Sequence, residues 1–131
     1  IYAEAANEAW GPEGKGTHNY SARNVIAAIR KRAGIKQPDN YLASITTKEA
    51  MRTLIRNERR LELCFEGFRF WDLRRWKEDL TQPAKGINIA GTTFSEVNVE
   101  ERKYDNSYMI YGPLPKNEVL KYNALVQNEG W

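Results

Sequence analysis

Three glutamates recur at every fourth position in the most highly charged stretch of the chain, residues 46–77. Glu58, Glu62 and Glu66 have this spacing, so in a continuous helix they lie in one row along one face. Two carboxylates can hydrolyse a glycosidic bond when they flank the sugar from separate positions. A single row on one helix is a poor arrangement for that reaction, so the spacing favours a structural role.

The arginines of the same stretch predict an ion-pair lock around this row. Like charges at this spacing repel, and a buried carboxylate is costly unless it is paired. Arginine can hold a carboxylate with two hydrogen bonds and stays charged. Such pairing keeps carboxylates ionised, which argues against a general acid of raised pKa. The available cations are Arg56, Arg59, Arg60, Arg69, Arg74 and Arg75. The predicted lock consists of Glu58, Arg59, Arg60, Glu62, Glu66, Arg69, Asp72 and Arg75.

The charge pattern does not favour nucleic-acid binding. Nine basic and five acidic residues alternate irregularly between Lys48 and Lys77, whereas a nucleic-acid-binding face is usually more one-sided. The chain has one cysteine and one histidine, His18, and it has no glycine-rich phosphate loop. We therefore predict no metal, no cofactor and no catalytic residues.

The elements around this stretch are predicted to be helices. Thr46 and Glu49 are spaced as a capping box, so a helix is expected to start there. Apolar residues follow at helical spacing through Phe68, which predicts that Cys64 is a small buried hydrophobe. Gly67 permits a bend, and an aromatic segment follows it in which Trp71 is expected to be buried.

Two further helices are predicted near the N-terminus. Residues 1–9 are rich in Ala and Glu, and Gly11 with Pro12 ends that helix. Ser21 is a plausible N-cap for a second helix that ends at Gly34. Helix, loop and helix of this size predict an αα-hairpin.

The remainder is predicted to be less regular. Residues 36–44 form a connection from which Tyr41 and Leu42 contact the core. Residues 81–107 form a long loop with two short strands, at 87–89 and 93–99, and residues 116–122 form one or two helical turns. The fold class is therefore mainly α: an αα-hairpin packed on a bent helix pair, followed by a long irregular region with little β. We expect a single domain over residues 1–131.

Four stretches, in order, resemble motifs of the SusD/RagB family. ERRLELCFEGFRFWDLRRWK resembles the family signature ERR-x-EL-x-FEG-x-RF-x-DLRRW. IYAEAANEAWGP resembles the helix that precedes this region, and NVIAAIRKRAGI resembles the NxIR-x-RAG helix. YGPLPKNEVLKYNALVQNEGW resembles the closing segment, except that Glu129 stands where the family usually has proline. The resemblance covers nearly the whole chain.

The resemblance implies a role in nutrient uptake. Members of this family are non-catalytic lipoproteins on the surface of the bacterial outer membrane. They bind glycans or other nutrients for a SusC-like TonB-dependent transporter, and their helix pairs are tetratricopeptide-like. They are several times longer than this chain. We therefore expect a soluble C-terminal fragment, mainly scaffold, whose parent protein is held to the membrane only by an upstream lipid anchor.

Aromatic residues outside the packed helices are the candidates for contact with an oligosaccharide or polysaccharide. Sugar C–H groups pack on aromatic faces, while amides and charged groups bind hydroxyls. The candidates are Trp10, Asn19, Tyr20, Tyr104 and Tyr108, and ordinary packing beneath a loop is the alternative for each. Two other functions stay open: a protein-interaction module that contacts the transporter without a sugar site, and a glycan hydrolase.

Overall fold

The computed structural model describes residues 1–131 and is mainly helical, as predicted. Helices hold 40% of the residues and strands 11%. The helices are α1 (Tyr2–Trp10), α2 (Ala22–Arg32), α3 (Asn40–Ser44), α4 (Lys48–Glu62), α5 (Phe68–Arg75) and α6 (Lys116–Val119), and the strands are β1 (Ala84–Ala90) and β2 (Thr93–Glu100). The chain forms two compact units, Ile1–Arg69 and Phe70–Trp131. The assignment of residues 1–131 to a single domain stays a prediction.

Helices α1 and α2 begin and end where local signals predicted. Gly11 follows α1 with φ +76°, a conformation that glycine adopts without strain. Ser21 is the N-cap of α2: its hydroxyl accepts a hydrogen bond from the backbone N–H of Asn24, whose side chain accepts from the Ser21 backbone in return. This capping box satisfies two helix-terminal donors. Gly34, at φ +87°, follows the end of α2.

The core of the first unit lies where α1, α2 and α4 meet. Its centre consists of small and aliphatic side chains that are almost completely buried: Ala3, Ala6, Ala22, Ile26, Leu42, Met51, Leu54 and Ile55. The alanines of α1 and α2 allow close helix packing. Asn7 is also fully buried, and its side-chain amide donates to the Lys48 carbonyl at 2.9 Å. This bond joins α1 to the start of α4.

Helix α4 starts one residue later than the capping-box pattern indicated. Its N-cap is Thr47, whose hydroxyl accepts from the Ala50 backbone N–H at 3.1 Å. The expected cap at Thr46 was wrong because two adjacent threonines compete for the position, and Thr47 has the extended backbone conformation of a cap.

The helix ends at Glu62, before the bend at Gly67. Phe65 has φ +65° and Gly67 has φ +78°, so the segment between α4 and α5 turns through left-handed backbone. Consequently Cys64 is exposed rather than buried, and Phe65 is fully exposed. The predicted burial of Cys64 was wrong because the helical spacing does not continue past Leu63.

The connection before α4 is more regular than expected. Residues 40–44 form α3, and Asp39 is its N-cap, accepting from the Leu42 backbone N–H at 3.0 Å. Leu42 is buried, as predicted, whereas Tyr41 is 58% exposed. The expectation for Tyr41 was wrong because a short helix directs successive side chains to different faces.

The second unit contains the predicted strands as a two-stranded antiparallel sheet. Both are longer than predicted, and they pair from Ala90↔Thr93 at the tip to Ala84↔Glu100 at the base. Gly91, at φ +61°, begins the two-residue turn between them. All of β2 is exposed. The four-residue helix α6 accounts for the helical turn expected after Pro115.

Candidate functional site

Two neighbouring cavities in the second unit are lined by aromatic side chains. The larger has a volume of about 440 Å³ and the smaller about 290 Å³. Helix α5 supplies one wall and residues 104–111 supply another. Four residues line both cavities: Arg74, Tyr104, Ile110 and Tyr111.

Arg74 lies close to two aromatic rings. Its guanidinium carbon lies 3.5 Å from the ring centroid of Phe70 and 5.7 Å from that of Tyr104. Phe70 and Arg74 are one helical turn apart on α5, so this contact is set by the helix. Nη1 of Arg74 donates to the Phe70 carbonyl at 3.1 Å. The close Phe70 ring and this hydrogen bond restrict the movement of the guanidinium.

The smaller cavity is the more aromatic of the two. Phe70, Trp71 and Trp131 line it together with the shared residues. Trp71 is 66% exposed and meets the Phe70 ring edge-on, with the ring centroids 5.0 Å apart. The expectation that Trp71 is buried was therefore wrong. A tryptophan face of this kind can pack against the C–H groups of a sugar ring.

The larger cavity has polar walls. Asp79 accepts hydrogen bonds from the Thr81 backbone and hydroxyl, at 2.9 and 2.5 Å, and from the Gln82 amide at 2.7 Å. The Thr81 hydroxyl and backbone contribute most to lowering the pKa of Asp79 to about 2. A carboxyl group with this pKa stays ionised at neutral pH and cannot serve as a general acid. Lys77 and Asn106 line the same cavity.

The predicted sugar-contacting residues are divided between the two units, and their role stays a prediction. Trp10, Asn19 and Tyr20 lie in the first unit, where Trp10 meets the His18 ring at 5.4 Å and Tyr20 is 61% exposed. Of the two candidates in the second unit, Tyr104 lines both cavities and Tyr108 lines neither. Tyr108 instead packs edge-on against Trp131, with centroids 5.2 Å apart.

The cavity residues that sequence reasoning missed are Phe70, Trp71, Tyr111 and Trp131. Arg74 had been considered only as a cation for the ion-pair lock. The spacing of Phe70 and Arg74 on one helix was a usable signal, because residues four apart face each other. Nothing in the sequence indicated that Tyr104, some 30 positions later, meets the same side chain.

The buried carboxylate of α4 is paired with a different helix from the one expected. Glu58 is only 6% exposed, and its Oε1 lies 2.5 Å from Nη1 of Arg30 on α2. Nε of the same guanidinium lies 2.5 Å from Oδ2 of Asp39. The Arg30 hydrogen bonds, together with those from the Leu42 and Tyr41 backbone, lower the pKa of Asp39. Arg30 therefore bridges two carboxylates.

The other residues of the predicted lock occupy varied positions. Glu62 pairs with Arg32 of α2, and Nε of Arg75 lies 2.8 Å from Oδ1 of the buried Asp72. Arg59 lies 5.4 Å from the Phe68 ring centroid, Arg60 is exposed, and Glu66 is exposed beyond the end of α4. The lock as one unit stays a prediction.

A groove of about 350 Å³ in the first unit also contains carboxylates. Tyr2, Ile29 and Ile55 give it an apolar lining, and Glu58 and Glu62 lie at its edge. Since both carboxylates are paired with arginines of α2, this groove lacks a pair of free acids. No group of three or more His, Cys, Asp or Glu side chains is arranged to hold a metal ion.

Comparison with known proteins identifies the family. The sequence model of the SusD family matches residues 1–131, the whole chain. The chain belongs to the SusD family. The fold is also similar to the crystal structure of a SusD-like protein from Bacteroides fragilis, with 31% sequence identity and a TM-score of 0.74. That match covers 98% of this SusD-family chain and 23% of the other chain. No curated protein matches the present chain.

Proposed function

We propose that this chain is the C-terminal part of a non-catalytic SusD-family protein that captures glycans at the cell surface. SusD-family proteins in general bind glycans in nutrient uptake and are not enzymes. Within such a protein the helices of the first unit act mainly as scaffold. The chain spans about a quarter of the length of the solved relative, so the activity of the whole protein is part of the proposal.

The observation that carries the proposal is the family match over all 131 residues. The cavities of the second unit support it, because they combine exposed aromatic faces with polar groups. Trp71 and Tyr104 offer surfaces for sugar C–H groups, and Asn106 offers an amide for hydroxyls. The pairing of Glu58 and Glu62 with arginines supports a binding rather than a hydrolytic role.

The proposal includes delivery to a SusC-like TonB-dependent transporter in the outer membrane. The parent protein is anchored at the surface by an upstream lipid. None of the helices has the length and apolar character needed to cross a membrane.

The hairpin of β1 and β2 favours a second candidate, a protein-interaction module. Ile87, Ile89 and Phe94 are 60–67% exposed, and the register places Ile89 directly opposite Phe94. An exposed apolar ribbon is a typical protein-contact surface. This alternative predicts that the protein co-purifies with the transporter and binds no saccharide.

A calorimetric screen of the complete protein against soluble polysaccharides and oligosaccharides tests the first candidate. Saturable binding without release of reducing ends supports glycan capture, and Trp71→Ala in the cavity then weakens it if the second unit takes part. Tyr122→Ala is the matched control, because Tyr122 is an exposed tyrosine that lines neither cavity. Absence of binding to any glycan contradicts the proposal. Release of reducing ends, lost in Glu58→Gln, would instead show a hydrolase.

A further inference from the structure

We propose that the cavities of the second unit select saccharides that carry an anionic substituent, a carboxylate or a sulfate, and that Arg74 binds this group. This inference rests on the proposed glycan-binding function and names the substrate class of the same site. Two observations support this inference: the unpaired positive charge of Arg74 and its contacts with aromatic rings.

Arg74 is a cation without a counter-ion. Its contacts are the two rings and the Phe70 carbonyl, and it has no ion pair with any carboxylate. Five other arginines differ in this respect, since each pairs with an acidic residue: Arg23, Arg30, Arg32, Arg52 and Arg75. A partly desolvated guanidinium lacking a partner has unused donors directed away from the ring faces.

The stacked geometry suits a planar anion. A guanidinium lying over an aromatic ring keeps its N–H groups in the plane, where they can hold two oxygens of a carboxylate or sulfate. The Phe70 ring, 3.5 Å away, restricts the rotation of this fork. Less conformational entropy is therefore lost when an anion binds.

The larger cavity is lined by basic side chains that no carboxylate pairs with. Lys77 lines the cavity, and no carboxylate pairs with its ammonium group. The two oxygens of Asp79 already accept from Thr81 and Gln82. Glu78 also lines this wall, and it has interactions of its own. Arg74 and Lys77 therefore have N–H donors that can bind an anionic ligand.

The aromatic residues place the sugar ring beside the anion site. Trp71 and Trp131 line the smaller cavity, which shares Arg74 and Tyr104 with the larger one. Since both indoles and Arg74 line one cavity, a single ligand can contact an indole with its sugar ring and Arg74 with its substituent. The groups that contact the sugar ring and the group that binds its charge are therefore neighbours, which is the arrangement that an acidic sugar requires.

The test uses calorimetry on the complete protein with matched probes. Oligogalacturonide is compared with its methyl ester, which has the same ring without the charge, and a sulfated galactan oligosaccharide is compared with the unsulfated one. At least one acidic probe is expected to bind about tenfold or more tightly than its neutral counterpart, as for other charge-assisted hydrogen bonds. The preference should decrease as salt concentration rises.

Variants assign the preference to a residue. Arg74→Gln should remove most of the difference between acidic and neutral probes, and Arg74→Lys should restore only part of it because the planar fork is lost. Arg102→Gln is the matched control, since Arg102 is exposed and lines neither cavity. It should leave the preference unchanged, and thermal unfolding of all variants checks that they fold.

Three outcomes overturn the inference. Acidic and neutral probes can bind equally, neutral probes alone can bind, or the preference can survive in Arg74→Gln. Each of these leaves glycan capture itself standing. If no saccharide of either kind binds, the proposed function fails together with the inference.

Discussion

Nη1 of Arg30 lies 2.5 Å from Oε1 of Glu58, and this contact joins α2 to the buried face of α4. The carboxylate would otherwise be an uncompensated charge in an apolar environment. Replacing Glu58 by Gln removes the charge and leaves Arg30 with Asp39 alone. Because one charge-assisted hydrogen bond is lost, we expect the free energy of unfolding to decrease by about 1.5 kcal/mol or more, which lowers the melting temperature by several degrees.

Calorimetric or circular-dichroism melting curves check this prediction. Glu66→Gln is the matched control: it makes the same chemical change at an exposed position beyond the end of α4. The free energy of unfolding of this control should differ from that of the wild type by less than about 0.5 kcal/mol. Equal effects at the two positions would show that the contact between Arg30 and Glu58 is not a special source of stability.

The stability of the first unit should decrease in acid through Asp39. Its pKa in the folded protein lies below the ordinary value of 3.8, because Arg30 and the α3 backbone stabilise the carboxylate. This contribution is fully present above pH 3.8 and is lost as the pH falls through the lowered pKa, because the unfolded state then binds more protons.

Urea unfolding of the wild type and Asp39→Asn at several pH values measures this effect. Asparagine can still cap α3, so the comparison isolates the charge. The wild type should be the more stable at pH 6, and the difference should shrink below about pH 4. A difference that does not depend on pH would exclude the charge of Asp39 as its cause.

Replacing Ser21 by Ala should weaken the start of α2. The hydroxyl accepts from the Asn24 backbone N–H at 3.2 Å, and loss of such a cap typically costs about 1 kcal/mol. Chemical denaturation measures the change. Ser44→Ala is the control: it removes an exposed hydroxyl that donates to the Tyr41 carbonyl. It should lower the free energy of unfolding by less than Ser21→Ala does. A larger loss at Ser44 would contradict the importance of the capping box.

Cys64 should react with a thiol reagent in the native protein. Its side chain is exposed in the turn after α4, so Ellman's reagent should label it without denaturant, at a rate within about tenfold of that in urea. Labelling that requires unfolding would mean that the helix continues through Cys64 and buries it.

The sequence predicted the elements whose signals are local. Ser21, Gly11 and Gly34 mark helix ends through contacts with residues at most a few positions away, and such short-range bonds can be recognised without a fold. The two strands were predicted as short segments of a long loop, and both extend further than predicted.

The partners of charged and aromatic side chains could not be predicted in the same way. Glu58 meets Arg30, 28 positions away, although several arginines lie closer along the chain. Arg74 is stacked by Phe70 from its own helix and approached by Tyr104 from a distant segment. The spacing on α5 could have indicated the contact with Phe70, but the contact with Tyr104 depends on how the chain folds back.

The two-residue turn at the hairpin tip fixes which side chains of β1 and β2 share a face. Gly91 makes the connection so short that Ala90 must face Thr93, and strand side chains alternate between faces. A one-residue slip of β2 would move Phe94 to the side opposite Ile89. Insertion of one residue beside Gly91 would therefore divide the apolar side chains between the two faces of the ribbon, although the sequences of both strands stay the same.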